Sequence, residues 1–457
     1  MVYLIKNTSI VNEGKTIIAD VLIKEGKIEK IAAQISVPFA VTEINGEGLH
    51  LLPGVIDDQV HFREPGLTHK ANIYTEARAA VMGGVTSFME MPNTAPPAFT
   101  HRQLEEKYAI AAQTSVANYS FYMGTSNDNA DEVLFTNDRK HDICGVKIFM
   151  GSSTGNLLVD NPLVLEKIFC NSEVLIATHC EDEQTIVNNL ARYEGKTITP
   201  DQHPIIRDVE ACYLSSHKAI QIAQKCGTRL HILHITTAKE LNLFGNMLPL
   251  ADKRITSEVC VHHLHFTAND YATKGHQIKC NPAIKAPENR EAIWQALLDD
   301  RLDVIATDHA PHLLSEKGWQ RNAQGILEPT PNTPYSGAHA GLPLVQHSLQ
   351  LMLHYVAEGR ITIEKMVEKM SHAVATCFKI ENRGFIQEGY WADVVLVNTH
   401  APYTVTAQNI AYKCGWSPLE GTTLPATIEK TFVNGQIVYE NGRVNESHKG
   451  MRLRFNP

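Results

Sequence analysis

The stretch Pro53–Gly66 reads P-G-V-I-D-D-Q-V-H-F-R-E-P-G, and its reading decides the fold. An apolar lead-in runs into Asp57, and then Gln59, His61 and Arg63 follow at every second position. Side chains of a strand repeat with period two. Asp57, Gln59, His61 and Arg63 are therefore expected on one face, projecting into one site, with Asp58 on the other. Two histidines at this spacing would clamp a metal ion, because imidazole nitrogen suits zinc. Here the first jaw is Gln59, a neutral amide and a much poorer ligand.

Working outward, short apolar runs recur near 54–60, 85–90, 118–123, 145–150, 173–178, 229–234, 255–261 and 303–307. Helical patterns lie between most of them, such as Lys70–Met82, Gln103–Ala112, Ile206–Lys225 and Glu288–Asp299. Eight β–α steps predict a closed parallel (β/α)8 barrel of the TIM type. The alternative, a doubly wound open sheet, lacks its expected G-x-G-x-x-G after a first strand. Both ends of the chain are β-rich, with turn signals at Glu25-Gly26 and Asn434-Gly435. The expected organisation is a β-domain from 1–52 and 384–457, a composite β-sandwich, around a barrel spanning 53–383.

Composition narrows the function. A chain of 457 residues with net charge −9 shows no basic cluster, which argues against nucleic acid or an anionic membrane as partner. No run approaches a membrane span, and Met1–Asn7 does not resemble a signal peptide. Nine cysteines without C-x-x-C pairs read as free thiols of a reducing cytoplasm.

Barrel active sites lie at the carboxyl ends of the strands. There the sequence places His61, Met91-Pro92-Asn93-Thr94, Lys147, His179, His234 and Asp308. Each has a plainer reading: His179 as a buried histidine bonded to a carbonyl, Asp308 as a turn cap, His309 and His312 as loop residues. His231 and His234 are expected to face opposite sides, with His234 entering the site. His262, His263 and His265 read as supporting or surface residues. Lys147 is costly inside a barrel unless paired. It either forms a salt bridge to an acid such as Asp308 or carries carbon dioxide as a carbamate, an anionic ligand able to bridge two metals. Residues 313–340, rich in Pro, Gly and Asn, read as a lid at the barrel mouth or a rigid surface excursion, with the Gly337 region approaching the substrate through backbone groups.

Taken together, L-L-P-G-V-I-D, V-H-F-R-E-P-G, M-E-M-P-N-T, K-I-F-M-G-S-S-T-G, T-D-H-A-P-H and the closing G-F-I-Q-E-G-Y-W-A-D-V-V-L resemble dihydroorotases of the cyclic amidohydrolase superfamily. The resemblance spans nearly the whole chain. It implies one or two zinc ions: His61 on the first, Lys147 bridging as a carbamate, His179 and His234 on the second, and Asp308 as ligand of the first and acid/base. It also implies Arg63, Asn93, Asn281 and His312 on the substrate, and a homodimer. The implied reaction opens the ring of dihydroorotate to N-carbamoyl-L-aspartate, reversibly, in pyrimidine biosynthesis. Sibling readings are allantoinase and dihydropyrimidinase, whose logic is the same on related rings. A further alternative is a non-catalytic homologue serving as a structural partner, raised by Gln59. On this reading the first metal is the weaker one, with Gln59 at most a weak oxygen ligand.

Overall fold

The computed structural model describes residues 1–457 apart from 152–156 and 332. Part of the K-I-F-M-G-S-S-T-G stretch therefore lies outside the described residues. Among the described residues, eight parallel strands follow one another in order: Val55–Val60, Val85–Glu90, Asn118–Gly124, Gly145–Phe149, Ile176–His179, Leu230–Ile232, Ile255–Cys260 and Val304–Ala306. A bridge between Val60 and His309 closes the ring, with the His61 amide donating to the His309 carbonyl at 2.7 Å. The strands are almost wholly buried, as expected where helices cover a parallel sheet.

The intervening helices start where their caps dictate. Asn72 accepts from the Thr75 amide, so the first helix is Ile73–Met82 rather than starting at Lys70. Asp208 does the same for Ala211, so the long helix is Val209–Cys226. Its end is set by Gly227 at φ 68°. Inside the barrel floor, Ile56, Met89, Tyr122 and Val304 pack against Val374, Phe378 and Phe455. Val55, Val60, Phe88 and Phe121 belong to the cluster under the helices.

The two ends of the chain share one nine-stranded sheet among the described residues. His50–Pro53 pairs in parallel with Val2–Asn12 and antiparallel with Val394–Asn398, then runs through Gly54 into the first barrel strand. The Asn434-Gly435 and Glu25-Gly26 turns join antiparallel strands, and all four residues have positive φ, as a two-residue hairpin requires.

Two expectations need correction. The alternation from Asp57 to His61 is broken by a bulge between Asp57 and Val60. Asp57 therefore leaves the face of His61 and ties the first strand to the eighth, accepting from the Thr307 hydroxyl at 2.6 Å and the Thr307 amide at 3.2 Å. Asp58 turns inward instead, a consequence of the extra residue a bulge inserts. The cysteines are not all free thiols either: Cys170 and Cys226 form a disulfide between helices Pro162–Asn171 and Val209–Cys226, and the other seven are free and buried.

Candidate active site at the carboxyl end of the barrel

A cavity of about 340 Å³ opens at the carboxyl ends of the strands. Gln59, His61, Arg63, Asn93, Lys147, His179, His234, Asn281, Asp308 and His312 all line it. These ten residues expected from sequence thus converge on one space, whereas Asp57 does not line it. Three of them, Arg63, His234 and Asp308, hold left-handed backbone at φ 69°, 42° and 47°. Non-glycine residues pay for that conformation, and such strain concentrates at functional sites. In each case it turns a residue just beyond a strand end toward the cavity.

The sixth strand shows the effect. It stops at Ile232, and the left-handed turn brings His234 into the cavity. His231 also points inward, one layer deeper, which corrects the expectation that the two face opposite sides. His231 Nε2 lies 3.3 Å from Asp58, and both sit with Glu258 in a fully buried cluster. The two carboxylates hold His231 up at about 9 against the opposing effect of burial.

Two pairs of lone-pair atoms meet at ligand spacing. His179 Nδ1 and His234 Nε2 are 3.1 Å apart, their rings inclined at 80°. His61 Nε2 and Asp308 Oδ1 are 3.0 Å apart. A tetrahedral zinc with bonds of about 2.05 Å would space its ligands about 3.3 Å apart, close to both values. Burial pushes His61, His179 and His234 below the ordinary imidazole range, which keeps them neutral, as ligands must be. The residues present therefore fit a divalent cation.

Two of the three histidines are aimed from behind, whereas His234 Nδ1 has no hydrogen-bond partner among the described residues. His179 Nε2 donates to Glu181 at 3.1 Å, which leaves Nδ1 for the cavity. Burial alone would raise Glu181, but Arg207 and then His179 hold it at about 2. Arg207 is its ion-pair partner. His61 Nδ1 donates to Asn93 Oδ1 at 2.7 Å, leaving Nε2 toward Asp308. A carboxylate or amide behind a ligating histidine fixes its tautomer and ring orientation.

Lys147 is 1 % exposed, and its Nζ lies 4.6 Å over the Phe149 ring. Desolvation lowers it to about 7, partly offset by Asp308 and Glu258. At neutral pH a large fraction is the free amine, the form that can take up carbon dioxide. Gln59 turns its amide nitrogen to Asp308 Oδ1 at 3.2 Å, and its oxygen lies 4.0 Å from Cys260 Sγ.

The cavity is also lined by the guanidinium of Arg63 and by His312. Arg63 Nε donates to the Pro311 carbonyl at 3.1 Å, and Nη2 lies 3.0 Å from His312 Nε2. Lys70 donates to His312 Nδ1 at 3.1 Å and pairs with Glu316 at 2.9 Å. Burial lowers Arg63 only to about 10, so it stays cationic. Gly66 packs the R-E-P-G turn onto the Asn93 loop: a side chain there would meet the Ala95 oxygen at 1.9 Å. His309 is structural, its Nε2 on Glu76 at 2.9 Å. His262 and His263 are buried rather than on the surface.

The mouth loop contributes Tyr335, Ser336, Ala340 and Gly341; the Gly337 region reaches the cavity through Tyr335 and Ser336, and Gly341 is the glycine that lines it. Lys317, fully buried, holds this loop by donating to the carbonyls of Lys279, His339 and Gly341 at 2.9, 2.8 and 3.0 Å. Glu181, Arg207, Lys70, Glu316 and Lys317 are absent from the sequence reading. Only Glu181 carried a signal, two residues beyond His179 in T-H-C-E.

The Amidohydrolase family model matches residues 50–438. A dihydroorotase of Pyrococcus furiosus is 31% identical over 448 residues, covering 96% of this chain and 94% of that protein. An allantoinase of Deinococcus radiodurans is 27% identical, covering 95% of each. Among solved structures, the L-hydantoinase (dihydropyrimidinase) of Arthrobacter aurescens superposes with a TM-score of 0.88 at 24% identity, covering 97% of both chains; this likeness shows the fold.

Proposed function

Because this chain belongs to the amidohydrolase family, we propose that it is a dihydroorotase, opening the ring amide of dihydroorotate to N-carbamoyl-L-aspartate and closing it in reverse. One observation carries the choice of substrate. The cavity that holds the ligand pairs is also lined by Arg63, a buried cation, with His312 beside it at 3.0 Å. A substrate for this site should carry a carboxylate on the ring that is opened, as dihydroorotate does and dihydrouracil does not.

The proposed roles follow from the geometry. Arg63 offers a planar fork to the substrate carboxylate, with Asn93, Asn281 and His312 around it. His179, His234 and a carboxylated Lys147 would hold zinc; His61 and Asp308 face a neighbouring position. A divalent cation held there supplies Lewis acidity and makes hydroxide available near neutral pH. Asp308 takes the proton of the attacking water and delivers it to the ring nitrogen as the amide bond breaks. Its Oδ1 is kept in place by the Gln59 amide nitrogen and faces His61 Nε2. Glu181 and Asn93 keep the imidazoles of His179 and His61 aimed.

In this reading the barrel, residues 53–383, carries the chemistry, and the protein is a cytoplasmic homodimer of pyrimidine biosynthesis. No helix among the described residues is long and apolar enough to cross a membrane. The test is relative turnover of dihydroorotate, allantoin and dihydrouracil by the purified chain. The proposal expects kcat/KM for dihydroorotate to exceed the others at least a hundredfold. Activity on allantoin alone would refute it.

A further inference from the structure

Gln59 occupies the position where a first-metal ligand would stand, and its orientation shows what it does instead. The group facing Asp308 Oδ1 at 3.2 Å is the amide nitrogen, and turning the amide over would set its oxygen against that carboxylate oxygen and take it away from the Cys260 thiol. An amide nitrogen has no lone pair to give a cation. The amide oxygen is on the far side, toward Cys260. Asp308 Oδ1 thus accepts from Gln59 and faces His61 Nε2 at 3.0 Å.

The two halves of the site are therefore unequal. His179 and His234, with a carboxylated Lys147, make three ligands and leave a fourth position open, the pattern of a catalytic zinc. The other half offers His61 and an Asp308 oxygen already engaged by an amide donor. With a share of Lys147 this half reaches three ligands only by using an oxygen that the Gln59 amide already holds, and it has one imidazole where the other half has two.

We propose that this chain holds one tightly bound divalent cation per subunit, at His179, His234 and Lys147, and that Gln59 keeps Asp308 as a hydrogen-bonded carboxylate for proton transfer rather than a metal ligand. The inference rests on the proposed function only for the identity of the reaction; cation count is independent of substrate.

The experiment is zinc titration of the metal-free, full-length chain in carbonate-containing buffer, followed by calorimetry and by elemental analysis after dialysis. One equivalent should bind tightly and survive dialysis, with any second event at least a hundredfold weaker. Gln59→His should take up two equivalents. Should that variant fold poorly, His61→Ala decides the matter: it should keep the single ion, whereas His179→Ala should lose it. Two dialysis-stable ions in the unaltered chain, a lost ion in His61→Ala or a retained one in His179→Ala would each overturn the proposal. Turnover of dihydroorotate is read on the same samples. One ion without turnover would sink the functional reading and leave this one standing; two ions with turnover would do the opposite.

Discussion

Replacing Glu181 by Gln tests the support behind the strongest ligand pair. Glu181 is fully buried, accepts from His179 Nε2 at 3.1 Å and pairs with Arg207. Held at about 2, it is an anion at every working pH. Glutamine keeps its shape and can still accept from His179, so the substitution removes charge with little change of packing. The ring of His179 loses basicity and some orientation. Loss of such a partner typically lowers metal affinity about 10–100-fold, or about 1.4–2.7 kcal/mol. Arg207 loses its anion as well, and the metal-free protein should lose about 1–3 kcal/mol toward unfolding, moderated because that side chain is 12% exposed. Competition between the protein and a fluorescent zinc chelator measures the first effect; urea unfolding of the metal-free form measures the second. A zinc affinity within twofold of the unaltered protein would refute the role given to Glu181. A loss as large as that of His179→Ala would also refute it, because Glu181 would then be a ligand rather than a support.

Lys147→Ala should lose the bound ion and all measurable turnover, and short carboxylic acids should restore part of both; a zinc-loaded variant at full rate would exclude the carbamate. Arg63→Met should raise KM for dihydroorotate more than a hundredfold, and Arg63→Lys should recover little of it, because lysine cannot supply the planar fork; an unchanged KM would remove Arg63 from the substrate. Lys147 must be a free amine to take up carbon dioxide, and burial brings it to about 7. Its free-amine fraction then rises from about one tenth at pH 6 to about nine tenths at pH 8. Reactivation of metal-free protein by zinc, at constant dissolved carbon dioxide, should speed up about tenfold over that range and then level off. A rate still climbing tenfold per pH unit beyond pH 9 would mean an unperturbed lysine.

Much of this was legible in the sequence because barrel strands are buried on both faces and read as apolar runs, and because their ends collect histidine, lysine and aspartate. The observed strands fall on the expected runs, and the expected site residues other than Asp57 reach one cavity. Period-two reasoning failed at Asp57 and Asp58, since the irregularity between Asp57 and Val60 changes their face relative to His61, while Gln59, His61 and Arg63 stay on the cavity side as expected. It failed again at His231, where the strand ended earlier than its apolar run and a left-handed turn reset the direction. Lys70 and Glu316 could not be found, because they are far apart in sequence and meet, with His312, only in the folded chain. The mouth loop was placed correctly, yet its cavity-lining glycine is Gly341, at a φ of 139° that disfavours any side chain.

The most direct test of the account is metal-dependent ring opening of dihydroorotate by the purified chain alone, followed in both directions before and after chelation. The account predicts reversible turnover that disappears when zinc is removed and returns when zinc and bicarbonate are restored. No turnover by the zinc-loaded protein, or turnover that survives complete removal of the metal, would contradict it.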